Sequence, residues 1–143
     1  MMKWIIALIA CALAVPSWAQ QAKTIKDIEV HYAALNSTFL TPQIAKSYQL
    51  RRNGHTAILN LSILDLSKAG KPATQATITA TSKNLVGNTR KLAFNEFKEG
   101  SAIYYIAEFP ITNEENITFD INIDAGTKGA GTIKFNQKFY VEE

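Results

Sequence analysis

Two histidines, His31 and His55, are all the imidazole this sequence offers. A metal centre needs several His, Cys or carboxylate ligands converging on one point. No H-x-x-x-H or C-x-x-C spacing occurs, and no methionine follows Met2 to suit copper(I). Both histidines therefore read as structural or solvent-facing residues, and no cofactor is expected. A Ser-His-Asp triad is assembled in space and leaves no spacing signature, yet the G-x-S-x-G nucleophile elbow is absent. The glycine-rich AGTKGAG of residues 125–131 lacks the G-x-x-x-x-G-K-S/T pattern of a phosphate loop. It falls between two strand-like segments and reads as a flexible hairpin loop. Glu114-Glu115 and Glu142-Glu143 read as solvated charges. The chain is expected not to be an enzyme.

Two groups of residues suit contact better than catalysis. Tyr104 and Tyr105 are adjacent in an apolar strand and must point to opposite faces, so one ring belongs to the core and the other can meet a partner. The second group is the polar loop Asn36-Ser37-Thr38-Phe39 beside a basic turn carrying Arg51, Arg52 and His55. Such a loop could hold an anionic group or a partner peptide; a solvated tip beside a side-chain-capped turn explains the same residues. The candidate contact surface is thus Asn36, Thr38, Phe39, Arg51, Arg52, His55 and Tyr104. The sequons at Asn36, Asn60 and Asn116 have meaning only in a eukaryotic secretory pathway.

The elements that must position these residues begin after a leader. Lys3 gives a short positive region, Trp4 to Val15 an apolar run, Pro16 a break, and Ser17-Trp18-Ala19 the small residues that a signal peptidase reads. Residues 1–19 are expected to be a secretory signal peptide cleaved between Ala19 and Gln20. Leu8-Ile9-Ala10-Cys11 offers a lipoprotein alternative anchored through Cys11. The apolar run is short for a span of about 20 residues, so no transmembrane segment is expected. Residues 20–143 then form one domain, with periplasmic location the expectation. Cys11 is the only cysteine, so no disulfide supports that domain. Without Lys3, 14 basic residues stand against 12 acidic ones, and their scatter gives no nucleic-acid footprint.

Period-two alternation runs through Asp27–Tyr32, Ala57–Asp65, Ala76–Ala80, Ile117–Asp124 and Ile133–Val141. Leu92–Phe94 is a shorter piece, and Ala102–Phe109 is apolar on both faces, which predicts a strand covered on both sides. Asn53-Gly54 predicts a type I′ hairpin pairing Leu50 with Ala57 and Tyr48 with Leu59. Thr41 as N-cap and Pro42 at the first helical position predict a short helical turn over residues 42–48. The turn is expected to plug one end of the core with Phe39, Leu40 and Ile44. The whole reads as an all-β, antiparallel β-sandwich of about seven or eight strands.

HYAALNSTFLTPQIAKSY, NGHTAILNLSIL, NLVGN, EGSAIYYIAEF and the ending IKFNQKFYVEE together resemble a family of small exported proteobacterial proteins. That family is catalogued as a domain of unknown function, the four-thousand-four-hundred-twenty-sixth of its series. The resemblance implies a periplasmic, Ig-like sandwich and carries no activity, ligand or catalytic residue with it. LNLSILDLSKAGKPATQATITATS is also similar to the strand–Asp–Gly-x-Pro–strand phrase of bacterial Ig-like domains. The expected function is an exported, non-enzymatic binding or accessory module that meets an envelope protein. A small-ligand binder for an anion or envelope glycan is one alternative, and a hydrolase with a spatially assembled site is another.

Overall fold

Alternation at β3 (Thr56–Asp65) sets the centre of the molecule: Ala57, Leu59, Leu61 and Ile63 point inward and are fully buried. The computed structural model describes residues 21–142. The expected leader, its Ala19–Gln20 cleavage point and Cys11 lie outside the described residues. Among these residues, nine antiparallel strands form two sheets. One sheet has the order β1-β2-β3-β7-β6, from β1 (Gln21–Ile25), β2 (Ile28–Asn36), β3, β7 (Ala102–Pro110) and β6 (Asn95–Glu99). The other has the order β5-β4-β8-β9, from β5 (Thr89–Leu92), β4 (Thr77–Asn84), β8 (Glu115–Asp124) and β9 (Ala130–Phe139).

The expected sandwich is therefore present, with a polar strand, β1, added at the front and exposed along nearly all its length. Phe119 sits at the centre of the core, with ring centroids of Phe109 at 5.3 Å, Phe135 at 4.9 Å and Phe139 at 6.0 Å. Burying each such ring removes enough apolar surface from water to stabilise the fold by about 2–3 kcal/mol. Tyr105 is the inward tyrosine, and its hydroxyl leaves the core at the rim, accepting from Ala76 N at 3.1 Å and donating to Glu96 at 2.8 Å.

The Asn53–Gly54 hairpin is a correction. β3 pairs with β2, placing Ala57 opposite Asn36 and Ile58 opposite Leu35, and residues 50–52 form no strand. Gly54 does not have positive φ. Asn53 Oδ1 instead accepts from His55 N at 2.9 Å, a local turn that needs no primed geometry. Gly54 is required by close approach: a Cβ there would stand 1.5 Å from the carbonyl oxygen of Glu142. Glu142 thus lies directly on the turn, with its N donating to Gly54 O at 3.3 Å.

The glycine-rich loop between β8 and β9 is tied down. Lys128 Nζ reaches the buried Asp65 carboxylate at 3.3 Å and Thr74 Oγ1 at 2.8 Å. Ser67 donates to the same carboxylate through its amide at 2.9 Å and its hydroxyl at 2.5 Å. The Ser67 hydroxyl first, then its amide and Lys128, hold the Asp65 carboxyl below the usual range against the opposing effect of burial. Asp65 is the aspartate of the strand–Asp–Gly-x-Pro phrase, and here it fastens the loop after β3 to the loop before β9.

A seam closes one side of the sandwich. Gln137, which interrupts the inward set of β9, donates to Ala34 O at 2.8 Å, and Asn36 Nδ2 donates to Tyr140 O at 2.7 Å. Lys26 Nζ reaches Thr127 O at 2.9 Å. On the other side the edge strands β5 and β6 are short and charged, which discourages edge-to-edge pairing.

Candidate functional site

The register across β2, β3, β7 and β6 sends Leu35, Ile58, Asn60, Ile106, Tyr104 and Phe97 to the outer face of the five-stranded sheet. An outer face this apolar needs a cover, and the chain supplies one. Thr41 Oγ1 accepts from Ile44 N at 3.2 Å, Pro42 fills the first turn, and α1 (Pro42–Ser47) follows. Its single buried residue is Ala45. This corrects the expected corner plug. Phe39, Leu40 and Ile44 do not join the core between the sheets; the helix lies across the outside of one sheet, because Ile58 and Ile106 there need shielding. Both are buried, so β7 is covered on both faces as its composition predicts.

The cover is too short to close the face. Tyr48, at the helix end, stacks on Phe97 with centroids 4.5 Å apart and 28° between the planes, and its hydroxyl donates to the Glu99 carboxylate. That bond, together with partial burial and the Glu99 charge, pushes the Tyr48 pKa up to about 12. Between the helix and the sheet remains a groove of about 270 Å³, whose lining includes Leu35, Leu40, Ile44, Ile58, Tyr104 and Ile106. Ile44 is 44% exposed at its rim.

Tyr104 is thus placed in an apolar groove, half-buried. Phe39, 53% exposed, borders a neighbouring hollow with Asn36 and Tyr140. Asn36 itself is buried and serves as an internal tie to the chain end. Thr38 is half-buried, and its Oγ1 is enclosed without a partner. The basic residues do not form a cradle. Arg52 Nε donates to Leu40 O at 2.7 Å, and the Glu108 carboxylate accepts from Arg51 N at 2.8 Å. His55 is exposed beyond β3. His31 meets Glu29 at 2.6 Å and pairs across the sheet with Ser62. Thr56, the neighbour of His55, precedes Ser62 by six residues of β3, which at about 3.3 Å per residue puts the two histidine backbones roughly 20 Å apart.

Tyr48, Asn60 and Glu99 were not legible as site residues. The signal that pointed to them was the unbroken apolar pair Ile58-Leu59, where alternation fails because both faces are covered. Leu85 and Val86 are each 81% exposed at the β4–β5 tip, which is held by Asn88 N donating to Asn84 Oδ1 at 2.9 Å.

These features define a nine-stranded, two-sheet antiparallel sandwich with a helix-roofed groove on the outside of its larger sheet. Residues 22–142 match the model of the family described as Domain of unknown function (DUF4426), and the chain belongs to that family. It is 31% identical to a DUF4426 family protein from Pseudomonas aeruginosa PAO1 whose crystal structure is known, with 90% of this chain and 100% of that one covered at a TM-score of 0.76. It is also similar to FetP of uropathogenic Escherichia coli strain F11, at 15% identity, 87% and 96% coverage and a TM-score of 0.54. A copper-bound variant of FetP matches at 16% identity, 87% and 97% coverage and a TM-score of 0.56. At these identities the FetP likeness is one of fold. No curated protein matches the chain. Among the described residues, no helix is long and apolar enough to cross a membrane.

Proposed function

We propose that this chain is an exported, non-enzymatic binding module that works through protein–protein contact, with the roofed groove as its contact surface. The observation that carries this reading is the incomplete cover: a six-residue helix leaves Ile44 and Tyr104 at the mouth of an apolar groove, with Phe39 close by in sequence and exposed. Interfaces concentrate their energy in such pockets, filled by a few aromatic or aliphatic anchors. Copper, named for the FetP variant, does not suit these residues. Among the described residues no group of three or more His, Cys, Asp or Glu side chains is placed to hold a metal ion, and the two imidazoles are too far apart to share one.

The test is affinity capture from cross-linked envelope extract with the processed protein as bait. Phe39→Ala and Tyr104→Ala serve as controls, each first shown to be folded by circular dichroism. The expected result is a partner held by wild type and lost by Tyr104→Ala. Retention of every captured partner by both variants would overturn the assignment of this surface.

A further inference from the structure

The β4–β5 hairpin holds two aliphatic side chains in water. Gly87, at φ +91°, donates its N–H to Asn84 O at 3.1 Å, Asn84 N donates to Asn88 O at 3.1 Å, and Asn88 N donates to Asn84 Oδ1 at 2.9 Å. These bonds fix Leu85 and Val86 at the centre of the turn, where polar residues ordinarily stand. Each is 81% exposed, so the fold gains almost nothing from their apolar surface. The same bonds satisfy three backbone N–H groups of the tip internally, which lowers the cost of taking it out of water.

Cations surround this tip. Residues 83–91 include Lys83, Arg90 and Lys91 and no acidic residue. Lys83 stands opposite Thr89 and Lys91 opposite Thr81, which places both lysines on the outer face of the four-stranded sheet. Arg90, opposite the buried Ser82, lies on the other face. All three are exposed, and none forms a hydrogen bond or ion pair among the described residues. The Glu115 carboxylate shares a hollow with Arg90 but accepts from Asn84 Nδ2 at 3.1 Å and Thr112 N at 3.0 Å. Glu114 and Glu115 lie at the start of β8, on the side of β4 away from β5. The basic, apolar corner is therefore the β4–β5 hairpin itself.

We infer that this hairpin is a membrane-docking point for an anionic phospholipid bilayer: Leu85 and Val86 enter the acyl boundary while Lys83, Arg90 and Lys91 meet lipid phosphates. A protein partner would need a pocket for two adjacent convex side chains, with acids placed on both faces of the hairpin. A fluid anionic bilayer supplies both without a complementary shape, since acyl chains close around the tip and phosphates surround it. The surface is separate from the groove, so this inference goes beyond the protein-contact reading and does not depend on it.

The test uses the exported, processed protein and vesicles of phosphatidylcholine alone or of equal parts phosphatidylcholine and phosphatidylglycerol. Cosedimentation with the anionic vesicles is expected, weakening as salt is raised. Leu85→Ser/Val86→Ser, which alters only exposed side chains and is checked by circular dichroism, is expected to weaken it about tenfold or more. Lys83→Gln, Arg90→Gln and Lys91→Gln are each expected to weaken it about fivefold at low salt. Cys11, in the expected leader, is the only cysteine, so Val86→Cys gives one site for an environment-sensitive fluorophore. Its emission should shift to the blue on anionic vesicles, while a fluorophore at Ala69→Cys, in the loop beyond the far end of β3, should not respond. Failure of wild type to bind anionic vesicles would overturn the inference, as would binding that the serine pair leaves unchanged. Loss of a captured protein in the serine pair, without vesicle binding by wild type, would make the tip a protein contact and the bilayer wrong. Capture lost only in Tyr104→Ala bears on the groove and leaves the hairpin to the vesicle result.

Discussion

Gly54→Ala is the substitution whose effect follows most directly from the coordinates. The added methyl group would lie 1.5 Å from the Glu142 carbonyl oxygen, so one of the two segments must leave. The turn at 53–55 is held from several sides: Ser37 Oγ exchanges hydrogen bonds with Asn53 at 2.8 and 3.0 Å, and Ile111 N donates to His55 O at 2.9 Å. Residues 140–142 are held less firmly, and they should detach. Detachment breaks the bonds from Glu142 N to Gly54, from Val141 N to Asn113 Oδ1 and from Asn36 Nδ2 to Tyr140 O, each contributing about 1 kcal/mol. Val141, half-buried against the core, adds about 1 kcal/mol. The total is about 4 kcal/mol, and the backbone entropy regained by three freed residues offsets about 3 kcal/mol of it. The expected net loss is therefore about 1–2 kcal/mol in urea unfolding, and about 4 kcal/mol would be reached only if the freed residues regained no entropy. Hydrogen exchange at the Val141 and Glu142 amides should accelerate while β3 stays protected. In a chain ending at Phe139, Gly54→Ala should be neutral or slightly stabilising, since alanine restricts the unfolded chain by about 0.4–1 kcal/mol. A cost that persists undiminished in the shortened chain would refute the steric argument, as would unchanged stability and protection in the full chain.

Other consequences are narrower. The Asp65 carboxyl is held below its usual range, so its contribution is complete above the unfolded value of about 4 and fades as pH falls through the lower folded value. Melting temperature against pH should therefore be flatter on the acid limb for Asp65→Asn than for wild type, and parallel curves would contradict the linkage. Tyr48 should ionise near 12 in an ultraviolet titration, and Glu99→Gln should return it toward about 10; an unchanged Tyr48 titration in Glu99→Gln would show that the Glu99 bond does not hold in solution. Phe119→Ala should cost about 3–5 kcal/mol in urea unfolding, because three neighbouring rings lose their common contact; a loss below about 1 kcal/mol would mean the core closes over the gap.

The inward residues of β3, β8 and β9 were legible in the sequence because each strand alternates over a core it shares with the opposite sheet, and β7 was legible as a strand covered on both faces because its apolar run is unbroken. β1 was not, since its polar side chains carry no burial pattern and only pairing with β2 defines it. The Asn53-Gly54 dipeptide misled for a related reason: hairpin propensity is a local signal, whereas this glycine answers to Glu142, far away in sequence. Tyr48 and Leu50 matched the phase of Ala57 and Leu59 by coincidence; Tyr48 serves the roof over β6 and β7. Of the candidate site, Tyr104 was found because two adjacent tyrosines cannot share a face. Asn60 was hidden because an outward polar residue on a strand ordinarily faces water, and the helix that encloses it comes from a different part of the chain.

The seam along β9 has a bearing on how the protein comes to exist. Its bonds join Lys26 to Thr127, Gln137 to Ala34 and Asn36 to Tyr140, partners separated by 101 to 104 residues. Loop-closure entropy must be overcome before contacts so distant can form, which places them late in folding and makes it slow. β1, β2 and β3 pair through contacts nearer in sequence, whereas the flank that β9 covers closes only when residues 127–140 have folded back onto residues 26–36. Closure of the sandwich therefore depends on β9 finding partners far away in sequence, and slow folding is the expected consequence.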